Sequence, residues 1–212
     1  MPKIEPFERN VSRYEAWFDS NQRAYESELK ALRALLPNTG EGLEVGVGTG
    51  RFAAPLGLRV GVDPSPAMGK LASQRGIEVR LGVGEDLPCE DGSFDFILVV
   101  TALCFFDDVP AALRETYRVL RAGGYLLIGF IDRKSPLAEL YEKRKRHDVF
   151  YREATFFSAD EVIYNVEQAG FCDLVFRQTI FENPTEMKDT DPVKPGHGEG
   201  LFVVVRATKP SR

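Results

Sequence analysis

Two hydrophobic periods alternate along this chain. Apolar runs suited to buried strands stand at 43–47, 59–62, 77–83, 94–100, 125–130, 174–181 and 201–208. Between them apolar residues return every three or four positions, the spacing of one helix face. Residues 7–36 read as one helical stretch. Tyr25, Leu29, Leu32 and Leu36 form its stripe, and Pro37-Asn38-Thr39-Gly40 stops it. Ser65 caps a helix with Pro66 in its first position and Gly76 at its end. Asp108 caps 109–120, which Arg121-Ala122-Gly123-Gly124 ends. Ser158 opens a further helix, with Glu161 as its capping-box partner, and Gly170 closes it. This alternation predicts a doubly wound α/β fold with helices on both faces of a mostly parallel sheet.

The stretch from Gly42 to Asp63 changes the picture from fold to chemistry. Strand residues Leu43, Val45 and Val47 interleave with Gly46, Gly48 and Gly50, and a helix opens at Gly50-Arg51-Phe52. Glycines at such a turn admit positive φ and let a ligand approach the backbone. The next strand ends at Asp63, where a carboxylate suits a bidentate bond to a ribose diol. A dinucleotide site wants G-x-G-x-x-G. Counted from Gly46, its third glycine falls on Arg51, which argues against a nicotinamide enzyme.

Composition narrows the partners. The 212 residues carry 27 Lys and Arg against 32 Asp and Glu, a net charge of −5, which disfavours a broad nucleic-acid face. No apolar stretch reaches membrane-spanning length, and the N-terminus has no signal core. Cys89, Cys104 and Cys172 form no CxxC, so a reduced, cytoplasmic location is expected. Two histidines without clustered ligands argue against a metal site.

What stands at the turn is E-x-G-x-G-x-G, and it resembles motif I of the class I S-adenosylmethionine (SAM)-dependent methyltransferases. Gly82, Leu87, Pro88, Asp91, Ser93, Phe94 and Asp95 resemble the G-D-A-x-x-L-P-F-x-D-x-S-F-D stretch of the ubiquinone/menaquinone-biosynthesis type (methyltransferase type 11). RVLRAGGYLLIGF resembles that family's helix, glycine turn and fifth strand, with Ala122 in place of proline. The resemblance covers about residues 40–208. It implies seven strands in the order 3-2-1-4-5-7-6 with the last antiparallel, in one domain, 1–212. It implies SAM as cofactor, with Glu44 near the methionine end, Gly46, Gly48 and Gly50 beneath it, and Asp63 on the ribose. Pro64, Met68, Gly84, Glu85 and Thr101 complete the expected cofactor set. Val83 stands where the family often has an acid for the adenine amino group, so backbone near Gly84 or the Glu85 carboxylate would have to serve.

The expected reaction moves the SAM methyl group to an oxygen, nitrogen or carbon of a small acceptor. A SAM-binding domain without turnover stays open as an alternative. Residues 1–37, with the aromatic knot Tyr14, Trp17 and Phe18, read both as packing and as a lid over the site. Phe105 and Phe106 read as core or as an apolar wall. The insertion 132–157 carries KRKRH at 143–147, read as a solvated face that could also shape the acceptor pocket. The polar loop 182–199 is too long for a tight hairpin. No general base stands out; His197 and Tyr151 are the candidates.

Overall fold

Strand β1 (Gly42–Val45) is the centre from which the sheet is built. It pairs in parallel with β2 (Val60–Asp63) on one side and β4 (Phe94–Val100) on the other, with Glu44 opposite Gly61 and Leu98. β3 (Glu78–Leu81) extends one wing and β5 (Leu120–Ile131) the other. β8 (Phe202–Thr208) then pairs antiparallel with both β5 and β6 (Cys172–Thr179). The order is β3-β2-β1-β4-β5-β8-β6-β7. The computed structural model describes residues 4–145 and 148–211.

The order matches the expected one with a correction. Among the described residues there are eight strands, not seven, because Lys194 and Pro195 form a two-residue strand, β7, on the outer edge of β6. An edge is where a proline and an exposed lysine are tolerated. The central strands read as unbroken apolar runs because both faces are covered. Along β4, Phe96, Leu98 and Val100 enter one core with Leu32, Leu127 and Phe202. Ile97 and Val99 enter the other with Leu113, Ile128 and Val166.

The helices are α1 (Glu5–Arg9), α2 (Val11–Ser20), α3 (Gln22–Arg33), α4 (Ala53–Leu56), α5 (Pro66–Gln74), α6 (Val109–Val119), α7 (Ala138–Lys145) and α8 (Ala159–Gln168). The single helical stretch expected over 7–36 is therefore three helices. Asn10 and Asn21 divide them, with backbone φ of −127° and −121°. Each folds its amide back onto a carbonyl four residues earlier, Pro6 and Trp17, at 2.8 Å. Side-chain competition of this kind is how asparagine ends a helix. The 121–124 stretch is not a loop after α6 but part of β5, with a register shift against β4 and Gly123 at φ +77°. The caps form as expected. Ser65 accepts from Met68 N–H, Asp108 from Ala111 N–H, and Ser158 with Glu161 makes a complete capping box.

Of the 143–147 run, Lys143 is exposed on α7 and pairs with Glu139 at 3.0 Å, while Arg146 and His147 lie outside the described residues. Among the described residues no helix is long and apolar enough to cross a membrane.

Candidate active site

The strands deliver their carboxyl ends to one edge. β1 runs out into Gly46 and Gly48, β2 ends at Asp63, β3 leads to Gly82–Gly84, β4 to Thr101 and β5 to Ile131. With α1, α2 and residues 148–151 and 183–185 they enclose a cavity of about 700 Å³. Small-ligand sites typically span ~300–1,000 Å³.

The glycine turn is open for a physical reason. Gly46 and Gly48 have φ of +74° and +53°. A Cβ on Gly46 would stand 2.5 Å from that of Ala102, and one on Gly48 would fill the gap below the Tyr14 hydroxyl, 3.4 Å away. Gly50 does something else. Its Cβ would meet Ile77 Cδ1 at 2.5 Å, so it admits close packing and does not line the cavity.

Asp63 is 7% exposed and braces the turn. Its Oδ2 accepts from Gly48 N–H at 2.8 Å and its Oδ1 from Ser65 N–H at 2.9 Å. Burial pushes this carboxyl up, against those two N–H groups. A carboxylate has roughly four acceptor positions, so capacity remains for a diol. Glu44 lies behind the turn, not in the cavity. Ala53 N–H reaches its carboxyl, whose Oε2 is buried without a partner, and burial raises its pKa well above the usual range.

Pro64, Met68, Gly84, Glu85 and Thr101 all line the cavity. Gly84 makes room for the Phe106 ring, 2.9 Å from where a Cβ would stand. One oxygen of Glu85 already accepts from Asp107 and Asp108 N–H, at 2.7 and 3.1 Å. Thr101 has φ +50°, a strained setting for a β-branched residue.

The rest of the wall is aromatic. Phe105 stacks on Tyr151 at 6.0 Å and meets Phe7 edge-on at 4.9 Å; Phe7 meets Phe150 at 5.2 Å. Phe105 and Phe106 thus line the cavity as half-buried wall while packing against the two cores. Tyr151 stands on the cavity, but His197 does not. The chain turns back as β7, so only 183–185 of the long loop reach the site. The exposed His197 ring rests on Phe176 at the sheet's far edge, 4.9 Å away.

Sequence reasoning missed two acids. Glu15 on α2 accepts from Thr49 Oγ1 at 2.5 Å, Arg51 Nε at 3.0 Å and the Arg75 guanidinium. Burial alone would raise the Glu15 carboxyl, but the bonds from Arg75, Arg51 and Thr49 outweigh it and hold it at about 2. The arginine that breaks the dinucleotide pattern therefore reaches up to fasten α2. Glu15→Ala is expected to destabilise the protein by ~1–3 kcal/mol. Hydrogen exchange should rise in residues 5–20 first, and uniform acceleration across the sheet would contradict a local fastening. The second acid, Glu28 on α3, is 5% exposed and lines the cavity. Its signal was a charge three residues after Tyr25 and four before Leu32, on the apolar face.

A methyltransferase-domain family model matches residues 43–128. A solved SAM-dependent methyltransferase of Thermotoga maritima, described as a possible histamine N-methyltransferase, is 50% identical with a TM-score of 0.95. The match covers 97% of this chain and 99% of that one. This chain belongs to the SAM-dependent methyltransferase family. An uncharacterized protein of Methanocaldococcus jannaschii is 45% identical over 203 residues, 96% of this chain and 98% of its own. The demethylmenaquinone methyltransferase of Roseiflexus castenholzii is 37% identical over 141 residues, 58% of each chain. The site of this methyltransferase fits SAM on its own geometry. Bare backbone faces the cavity at Gly48, and a carboxylate with spare acceptor capacity stands beside it.

Proposed function

We propose that this methyltransferase acts on a small-molecule acceptor held in the aromatic half of the cavity. The observation that carries this reading is continuity: residues of α1 and α2 line the cavity together with the strand ends, and one cavity runs from Asp63 and Gly48 to Tyr151 and Asn183. Asp63 is the residue assigned to the ribose, the Gly46–Gly48 backbone to the methionine end, and Met68, Pro64 and the Gly84 region to the adenine. The Glu85 oxygen not committed to residues 107–108 is free for an exocyclic amine.

Bound SAM supplies an activated methyl group on a sulfonium. The protein's work is then to orient the acceptor and exclude water. Phe7, Phe105, Phe150 and Tyr151 wall the acceptor half with apolar surface. Well-aligned proximity can contribute on the order of 7–11 kcal/mol. Tyr151, which lines the cavity, is the residue we assign to bind or deprotonate an acceptor; His197 is not among the lining residues. The recessed position of the cavity beneath α1 and α2 disfavours a protein or nucleic-acid substrate, as does the acidic balance. A cytoplasmic location fits a chain whose three cysteines form no CxxC pair.

Labelled SAM is expected to methylate a low-molecular-weight fraction of a metabolite extract, with protein and tRNA fractions as controls. Label found in the macromolecular fractions alone would overturn the small-acceptor reading.

A further inference from the structure

We propose that Glu28 is the acceptor-binding group and that the acceptor is an organic amine, bound as its cation. This rests on the small-acceptor reading and deepens it.

Glu28 is a carboxyl in a place that ought to hold an apolar side chain. It sits on α3 between Tyr25 and Leu32, and the cavity it lines also carries Phe18, Asn21, Phe52 and Ile131. It is 5% exposed, yet among the described residues no hydrogen bond or ion pair engages its carboxyl. Buried acids without partners are costly, and proteins rarely carry one in a core. Its oxygens are not among the sealed orphan atoms, as Glu44 Oε2 is; what access Glu28 has is to the cavity it lines.

The surroundings select the ligand. An aromatic chamber binds the apolar body of a small molecule and also favours a cation over its ring faces. The described lining carries the acids Glu28, Asp63, Glu85, Asp107 and Asp148 against the cations Arg13 and Lys145, so acidic groups outnumber basic ones by five to two. Asp63, Glu85 and Asp148 are each engaged by backbone N–H groups. Asp107 belongs with the loop that Glu85 fastens. Glu28 is the acid left to meet a charge-assisted donor, and an ammonium is the donor that satisfies it most strongly. Glu28 and Asp63 line one cavity, so the amine end and the cofactor end share one chamber.

Calorimetry tests this with three amines, each paired with its neutral alcohol: 2-phenylethylamine, tryptamine and 4-aminobutan-1-ol against 2-phenylethanol, tryptophol and 1,4-butanediol. The protein is held saturated with S-adenosylhomocysteine. At least one amine is expected to bind at least ~10-fold tighter than its alcohol, and Glu28→Gln should erase that preference. Glu28→Gln matches the protonated acid in shape, and Glu28→Met, an apolar replacement of similar volume, serves as the second variant should the first fail to fold. S-adenosylhomocysteine affinity of the variants should stay within about threefold of wild type. If every alcohol matches its amine, or a folded variant keeps the preference, the proposal is overturned. If the variants instead lose S-adenosylhomocysteine, Glu28 serves the donor and the proposal is again overturned, while the methyltransferase reading survives. Failure of the wild type to bind S-adenosylhomocysteine would defeat the underlying reading and this proposal with it.

Discussion

Asp63→Ala is expected to lower SAM affinity by at least ~100-fold, about 2.7 kcal/mol. It should also cost roughly 2–4 kcal/mol of stability. The two effects share a cause. The carboxylate that faces the cavity also accepts Gly48 N–H and Ser65 N–H, at 2.8 and 2.9 Å. Alanine leaves both donors buried without partners and frees the turn whose shape the cofactor needs. Asp63→Asn separates the parts. It keeps the volume, yet an amide NH2 must then face one of those two N–H groups, and the charge is gone. Its stability loss should be smaller than alanine's while its loss of SAM affinity stays near that of alanine. Calorimetric titration with S-adenosylhomocysteine, at a temperature where both variants are folded, gives the check. Affinity within threefold of wild type in either folded variant would show that Asp63 braces the turn without touching the cofactor.

The sheet was legible because its grammar is local. Each buried strand is a short apolar run, and each helix that follows has a cap written in its first residue: Ser65, Asp108 and Ser158 all cap as their side chains dictate. The strand order was legible only through resemblance, since nothing in 202–208 by itself says that this strand inserts between β5 and β6. The errors have physical sources. Asn10 and Asn21 end helices by folding back on carbonyls four residues earlier, a competition that a hydrophobic stripe does not register. Lys194 and Pro195 pair with β6 through their backbone, and Gln178 of β6 adds a side-chain bond to the Pro195 carbonyl, so the composition of 194–195 gives no hint of β7.

The site divides the same way. Residues close to a strand end, such as Gly48, Asp63 and Thr101, are placed by the fold itself, and the structure puts all three on the cavity. Glu44 is two positions before Gly46 and Gly50 two after Gly48, yet both face the interior behind the turn. His197 was suggested by the loop it sits on, and a loop of that length can return to the sheet edge before its end. Glu15 and Glu28 belong to helices distant in sequence from motif I. Only tertiary packing brings Glu15 to Arg51 and Arg75, and Glu28 to the aromatic chamber.

Glu28→Gln is expected to make the unliganded protein more stable, by an amount that grows with pH. Burial lifts the Glu28 carboxyl from 4.5 to about 8. Between those two values the folded chain keeps a proton that the unfolded chain has released. The unfolded state then binds fewer protons, so wild-type stability falls as pH rises through this window. Three and a half pH units at ~1.36 kcal/mol each make the full loss roughly 3–5 kcal/mol. Below about pH 4.5 both states are protonated and the variant should differ by less than ~1 kcal/mol; near pH 8.5 it should lead by most of the full amount. The titratable groups facing Glu28 do not disturb the comparison. Tyr14 from α2 and Tyr25 from α3 are both held above their ordinary values by burial and stay neutral here. Glu44 is raised as well, but it contributes the same slope to both proteins. Urea midpoints from pH 5 to 9 read the difference, and parallel curves would mean that Glu28 ionises freely. An amine that binds the charged carboxylate must work against this slope: added to saturation at pH 8.5 it should restore wild-type stability and leave Glu28→Gln unchanged, because ligand binding and the loss of that proton are one equilibrium.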